Sequence, residues 1–575
     1  MKKFTFLLAL AFLFSLTGTQ ALNAQNLPVT DGLVLHLDAA DEDNFELEEG
    51  RIMKWFDQSG RENHAEQVEQ DNQPIYNNGI VSFNGESQYF NLGANILPAE
   101  QNFSFFALIS VSKDIEEDHD VIISQYTGNT GMIFYSRTDF GSAENQIRFW
   151  TTNAGEMIVG SDIRAEGLKI VYLERIDSEW SLFENGHHVG GFSGAEPLPT
   201  ETTTIGATAL SKIRHFNGEM AEILSFEFTL NKSQRAQVEW YLANKWGIEK
   251  PTVIWEGSES EEWDDPSNWE GNNLPSSIAN ITIPDDARNF PLIQEAHHIG
   301  NLTIDSPGSL TIAPTGRLTV FGDLNNDGTL TIQSDASGTG SLIHNSEGVE
   351  ATVQYYMTES PTWVEKDENV PGWHYIASPV EGMNIDTLVS VITDTDPDHY
   401  ALYYWHEPTD TWRNHKGESF VDTVFQLGKG YIMSVKNEQT PAFSGQLNVE
   451  PLSPANLTKQ GATSAYGAGW NLVGNSYASG IEVNTSDWES DGSVNLTAIK
   501  YYETDGSYGT YQTGDIIPPM TGFFVQVNDD PGTLTISPDA RRHYDPSTKS
   551  SPSNENYIVL TAAALEGSTL QRSYL

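Results

Sequence analysis

The chain contains no cysteine. Disulfide staples, thiolate-ligated zinc, cysteine nucleophiles and thiol redox chemistry are therefore excluded, and hydrophobic cores, aided by metal ions, must hold the fold. Basic residues are scarce too: 30 Lys and Arg stand against 80 Asp and Glu, a formal charge of −50. A chain this acidic lacks the basic patches that nucleic acid and anionic lipid require, and divalent cations are its natural counterions. Long apolar runs are also missing. The N-terminal one, Phe4 to Leu16, follows Met1-Lys2-Lys3 and precedes a small, polar stretch. It is too short to cross a bilayer. With Ala21 or Ala24 as the small residue at the cleavage site, residues 1–24 are expected to be a secretory signal peptide. No later stretch is apolar enough to span, so no membrane insertion is expected of the mature chain.

Turn and strand chemistry is abundant, with 48 Gly, 26 Pro and many aromatic and β-branched residues. Alternating runs such as Gln146–Trp150 and Lys169–Leu173 predict strands. Helical periodicity is convincing only from Asn231 to Trp246, where Asn231 or Ser233 can cap and Gly247 can stop a helix. With Pro251 as a seam, the first domain is expected over residues 26–250. Residues 251–350 carry a repeat: Leu302-Thr303-Ile304, Leu310-Thr311-Ile312, Leu318-Thr319-Val320 and Leu330-Thr331-Ile332, the first three spaced by eight residues. This predicts a β-roll or short solenoid in which these copies stack, burying Leu and Ile while Thr faces outward. Residues 351–546 are rich in Trp, Tyr and Gly and predict a β-sandwich-like domain. Residues 547–575 read as a Ser/Pro-rich linker and the start of a further β-domain that is cut short. The expected fold class is all-β throughout.

Several motifs of the first domain occur together: Gly32-Leu33-Val34-Leu35-His36-Leu37-Asp38, Trp55-Phe56-Asp57-Gln58-Ser59-Gly60, Val81-Ser82-Phe83-Asn84-Gly85, Phe183-Glu184-Asn185-Gly186, and Phe216-Asn217-Gly218-Glu219-Met220-Ala221-Glu222 ahead of the helix. In order and spacing this resembles a LamG-like domain of the concanavalin A-like lectin/glucanase superfamily. The resemblance implies a jelly-roll sandwich. Residues 251–550, through Trp470-Asn471-Leu472-Val473-Gly474-Asn475, Gly428-Lys429-Gly430-Tyr431 and Pro519-Met520-Thr521-Gly522-Phe523-Phe524, resemble stalk regions of Bacteroidetes-type surface proteins. That resemblance implies secretion to the outer cell surface by the type IX route, whose C-terminal sorting domain is missing here.

The chemistry points to binding before catalysis. Retaining glucanases of the superfamily carry Glu-x-Asp-x-Glu on one strand, which residues 26–250 lack. The nearest candidate, Glu219-Met220-Ala221-Glu222, has a spacing of three, which in a regular strand sends the carboxylates to opposite faces. A structural role or a cation site is expected of it, and no catalytic residue is assigned. Members of the superfamily often hold Ca²⁺ on a sandwich edge, and the oxygen donors within the matching motifs are Asp38, Asp41, Asp57, Asn63 and Glu222. The competing reading makes Asp57, Ser59 and Asn63 turn-capping residues. Asp323-Leu324-Asn325-Asn326-Asp327-Gly328 imitates an EF-hand loop but has Ser334 at its twelfth position, so a β-turn is expected. Asp394-Thr395-Asp396-Pro397-Asp398 reads as an acidic surface loop. For sugar contact, if Ile147 and Phe149 point inward, Arg148 and Trp150 point outward, and Tyr135 and Arg137 share one face of the neighbouring strand. Trp55, Trp180, Trp240 and Trp246 are assigned to packing. The expected function is a secreted surface protein that binds a polysaccharide or glycoprotein in adhesion. The alternatives are a glycoside hydrolase or lyase, and a structural adhesin that binds protein alone.

Overall fold

A computed structural model describes residues 26–544 apart from 99–101, 113–118, 129–130, 139–144, 153–154, 163–166, 195–197, 199–202, 361–371, 393–398, 462–467, 485 and 503–506. The expected signal peptide, residues 1–24, the expected acidic loop Asp394–Asp398 and the segment 547–575 therefore lie outside the described residues. The chain divides into two compact units, one ending at Glu249 and one starting at Lys250. The all-β expectation holds. The described residues hold two α-helices, Lys232–Lys245 and the short Ile385–Ile392, against a large antiparallel sandwich and a β-solenoid of about three turns.

In the first unit, one layer runs in the order Leu33–Asp38, Asn217–Phe226, Phe103–Val111, Lys169–Ile176, Glu179–Glu184 and His187–Ser193, all antiparallel. The other layer runs through Gly155–Asp162, Asn145–Thr151, Gly131–Thr138, Asp120–Tyr126, Thr203–Ile205 and Phe90–Leu92. The core collects every second side chain of these strands, among them Phe103, Phe105, Phe134, Phe149, Leu182 and Trp180. Phe103–Val111 is buried on both sides, which explains why it is apolar at every position but Ser104 and Ser110. Its other face lies on the side of the helix: the Ser104 hydroxyl accepts from Leu230 N just before the helix, and Arg235 of the helix lies 5.7 Å from the Tyr172 ring on the adjacent strand. The helix starts where the sequence places it, with Asn231 and Gln234 forming a reciprocal capping box.

The second unit opens as a parallel solenoid with three sides. One side stacks Thr252–Ile254, Asn280–Ile283, Leu302–Ile304 and Leu324–Asn326. The second stacks Leu292–Ile293, Ser309–Ile312, Thr329–Ile332 and Glu350–Gln354, and the third Ala296–Ile299, Arg317–Val320 and Ser341–Ile343. Leu302, Ile304, Leu310, Ile312, Leu318, Leu330 and Ile332 are all buried, as the sequence predicts. The stacking is different. The three copies eight residues apart form the three successive sides of one coil, and the true partners sit one coil on, Leu302 beside Leu324, Leu310 beside Leu330 and Leu318 beside Leu342. Three short strands and their turns make up the repeat, so the period of eight is a corner-to-corner distance. Where a β-turn is expected over Asp323–Gly328, the structure has the strand Leu324–Asn326 followed by a bend at Asp327–Gly328. Against the first coil packs a trio of buried tryptophans, Trp255, Trp263 and Trp269, with ring centroids 4.6–6.0 Å apart.

Beyond the solenoid the unit contains an internal duplication that sequence reading missed. His374–Ile376, Tyr431–Val435, Tyr400–His406 and Thr411–Asn414 form one four-stranded sheet, in that order. Trp470–Gly474, Gly522–Val527, Val494–Tyr502 and Tyr508–Thr510 form another with the same connectivity. The sequences follow: Gly372-Trp373 matches Gly469-Trp470, Ala401-Leu402 matches Ala498-Ile499, and Gly430-Tyr431 matches Gly522-Phe523. Bridges Ile376–Thr521 and Lys429–Val473 join the sheets. Each bridge is the other's counterpart under the matching, and so are the hydrogen bonds Ala377 N to Met520 O (2.8 Å) and Gly474 N to Gly428 O (2.9 Å). The halves are thus related by a pseudo-two-fold, like the subunits of an isologous dimer. The chain then returns to the solenoid, where Arg541 donates to His344 O (2.6 Å), Arg317 donates to Tyr544 O (3.2 Å), and His543 bonds Ser341 Oγ (2.8 Å) and Thr319 Oγ1 (2.9 Å).

Candidate functional site

The strands Gly131–Thr138 and Asn145–Thr151 pair so that Tyr135 stands opposite Arg148, Ile133 opposite Trp150 and Arg137 opposite Gln146. Residues directly opposite in an antiparallel pair share a face. Ile147, Phe149 and Phe134 point into the core. Tyr135, Arg137, Arg148 and Trp150 therefore all lie on the other face, together. They do not reach the surface equally. Tyr135 and Arg148 are buried, each 2% exposed, whereas Arg137 and Trp150 are half-buried. Tyr135 sits in a small cluster with Val121 and Ile133, against which Trp150 and Tyr126 pack. The Tyr126 and Trp150 rings meet edge to face at 5.2 Å, and His119 lies 5.2 Å from Tyr135. Sequence reading overlooked Tyr126 and His119 because they stand at the two ends of the strand Asp120–Tyr126, where alternation gives no signal.

The five oxygen donors separate into three groups. Asp41 accepts from Asp43 N and caps a short 3₁₀ turn. The Asp57 carboxylate accepts from His36 N (2.8 Å), Ser59 N (2.9 Å), Ser59 Oγ (2.7 Å) and Asn63 N (2.9 Å), while Asn63 donates to Val34 O (2.7 Å). That is turn chemistry, which fixes the loop against the first strand. Asp38 and Glu222 do converge, with His36, so that ligand atoms of all three lie within 4.8 Å of one another. A cation already holds them: Lys245 Nζ is 2.7 Å from Asp38 Oδ2 and 2.7 Å from Glu222 Oε2. These donors do not fit a divalent ion while the ammonium stands between them.

Glu222 also accepts from His36 Nε2 (2.8 Å), Tyr241 Oη (3.1 Å) and Trp246 Nε1 (2.6 Å). Burial alone would push its carboxyl up, but the His36 hydrogen bond and the Lys245 charge bring it below the usual carboxylate range. The parity argument for Glu219 and Glu222 fails here for a local reason. The register shifts between Met220 and Glu222, so Glu219 faces Ser110 and Glu222 faces Leu108, which places both on one side of the sheet. With Tyr241, Lys245 and Trp246 all donating to it, Glu222 is an anchor for the helix. Trp55 and Trp180 are buried and Trp246 packs against the core, as assigned, while Trp240 is half-buried on the helix.

Residues 254–509 match the model of a family described as a domain of unknown function, DUF8693. No curated protein matches the chain. Among solved structures, the chain is similar to Trypanosoma rangeli sialidase in complex with sialic acid at 15% identity and a TM-score of 0.29, over 38% of this chain and 34% of that one. It is similar to domain 4 of a GH43 extracellular arabinanase from Geobacillus stearothermophilus, in complex with arabinotriose, at 12% identity and a TM-score of 0.28, over 36% and 97%. A SAP-like pentraxin from Limulus polyphemus aligns at 13% identity and a TM-score of 0.23, over 27% and 78%. The chain spans about a third of the length of the sialidases it matches. At these scores the likenesses carry no argument about what this chain binds.

Proposed function

We propose that this chain is an exported cell-surface protein whose first unit, a LamG-like sandwich, recognises a glycan or glycoprotein. One observation carries the reading: two aromatic and two guanidinium side chains from adjacent strands share the face turned away from the core. Aromatic rings stack on the apolar faces of sugars, and guanidinium groups donate in a planar fork to hydroxyls or carboxylates. Trp150, Tyr126 and Arg137 are the contact residues, and the buried Tyr135 and Arg148 support them from beneath. Binding is favoured over hydrolysis because Glu222, the better placed of the two motif carboxylates, is saturated by four donors.

The full chain is to be screened on a glycan and polysaccharide array, with Ca²⁺ and with chelator, and hits checked for released sugar. Retention weakened by Trp150→Ala or Arg137→Ala, with no release, is the expected result. Sugar release would reassign the unit to a hydrolase or lyase, and an array silent under both conditions would reject the proposal. Loss of binding in chelator would restore a cation to the site. Surface display by the type IX route belongs to the same proposal, and protease shaving of intact cells that spares the chain would remove it.

A further inference from the structure

The joined sheets of the duplicated region have two faces of opposite character. Ile376, Tyr431, Met433, Val473, Phe523 and Val525 supply the cores beneath. On the opposite face, Tyr375 and Ile432 of one half meet Leu472 and Phe524 of the other. Around them stand Trp373, Trp405, Trp412, Trp470 and Tyr502, all half-buried, with Tyr508 46% exposed at the rim. These are counterparts under the pseudo-two-fold: Trp373 corresponds to Trp470, Trp405 to Tyr502 and Trp412 to Tyr508. We infer that this face is a binding platform for a neutral polysaccharide chain, separate from the face proposed on the first unit.

Three observations point to that occupant. The first is charge. In a chain of net charge −50, no Asp or Glu among the described residues occupies a strand position on this face, and the one cation at such a described position, Lys500, is engaged with Thr510. Neither an anionic nor a strongly cationic ligand is matched there. The second is preorganisation. Trp405 Nε1 donates to Trp470 O (2.7 Å), the Tyr375 and Tyr508 hydroxyls bond each other (2.9 Å), and Asn414 donates to the Tyr403 hydroxyl (2.8 Å). Rings held this way lose little freedom when a flat ligand lies on them. The third is repetition. Two equivalent aromatic half-sites on one surface suit a ligand that itself repeats, with apolar ring faces and hydroxyl edges alternating along a chain. A protein surface offers no such periodicity.

Affinity electrophoresis of the full chain through gels containing xyloglucan, glucomannan, laminarin or alginate tests this. Retardation by at least one of the three neutral polymers is expected, weakened about tenfold by Trp412→Ala and by Tyr508→Ala. Should Trp412→Ala fail to fold, Tyr508→Ala, which removes a rim ring, decides alone. Retardation by none of the neutral polymers, or retardation unaffected by either rim substitution, overturns the inference. So does loss through Trp150→Ala only, which would place all polysaccharide binding on the first unit. A concentration-dependent dimer abolished by Tyr508→Ala would overturn it in favour of a second copy of the chain.

Discussion

The indole of Trp405 donates to the backbone carbonyl of Trp470 across 2.7 Å, tying a hairpin of one half of the duplicated region to the first strand of the other. The bond has no exact twin, because Tyr502 occupies the matching place and carries no indole. It stacks instead on Tyr375, with centroids 5.0 Å apart. Trp405→Phe leaves a smaller aromatic ring and deletes the donor, so it should cost at least about 1 kcal/mol. Hydrogen exchange of the strand Trp470–Gly474 is the readout, and protection equal to the parent would show that the bond is dispensable.

The Glu222–Lys245 pair joins the helix to the sandwich with both partners largely desolvated. Removing one partner leaves the other buried and poorly matched. Glu222→Gln and Lys245→Met should each destabilise the first unit by about 3 kcal/mol, and the double variant by clearly less than their sum. Denaturant unfolding of the four proteins gives the cycle. Additive losses would mean that the two side chains act independently.

Gly316 turns a corner of the solenoid, where a Cβ would lie 2.1 Å from the Ile293 carbonyl oxygen of the coil before it. Gly328 meets the Gly308 carbonyl oxygen at 2.2 Å in the same way. Neither has a positive φ, so the constraint is the spacing between coils and not the dihedral angle. Gly316→Ala is expected to cost about 2 kcal/mol despite its higher intrinsic order. An unchanged unfolding midpoint for the second unit would show that the coils can spread freely.

His344 is buried, with Nδ1 lacking a hydrogen-bond partner, and its carbonyl receives Arg541. Burial, and after it the Arg541 charge, push its imidazole down to about 4. As pH falls below the ordinary histidine range, the unfolded chain takes up a proton that the folded unit refuses. The associated stability is complete above about pH 6.5 and is lost progressively toward pH 4, by about 3 kcal/mol. Unfolding of the second unit between pH 7 and 4 should show this slope, and His344→Gln should lessen it, leaving the part due to His543, whose burial pushes its imidazole lower still, to about 3. An equal slope in the variant would assign acid sensitivity to other groups.

The sequence made the strand chemistry legible because alternation and turn residues are local signals. Asn231 and Gly247 bracket the helix for the same reason. What escaped was set by partners distant in sequence. The eight-residue spacing of Leu302, Leu310 and Leu318 carries no mark of whether the copies stack or turn a corner, and only the backbone pairing decides. The bulge at Met220–Glu222, which brings Glu219 and Glu222 to one face, follows from pairing with Phe103–Val111 and leaves no trace in the motif. Lys245, a helix residue, sits against both Asp38 and Glu222, and nothing in the motifs around those carboxylates signals it. The duplication was hidden because its halves share Gly-Trp starts and Gly-aromatic strands but exchange Trp for Tyr at the equivalent rings.

The return of the chain onto the solenoid sets how the second unit carries load. Its described backbone enters through Thr252–Ile254 and leaves through Arg541–Tyr544, and both segments are fastened to solenoid strands. Tension applied between those points runs through the coils and the Arg541 clasp, and bypasses the paired sheets. Mechanical survival is governed by the rate of unfolding along the pulled path. Under traction the paired aromatic sheets would keep their shape until that clasp gave way.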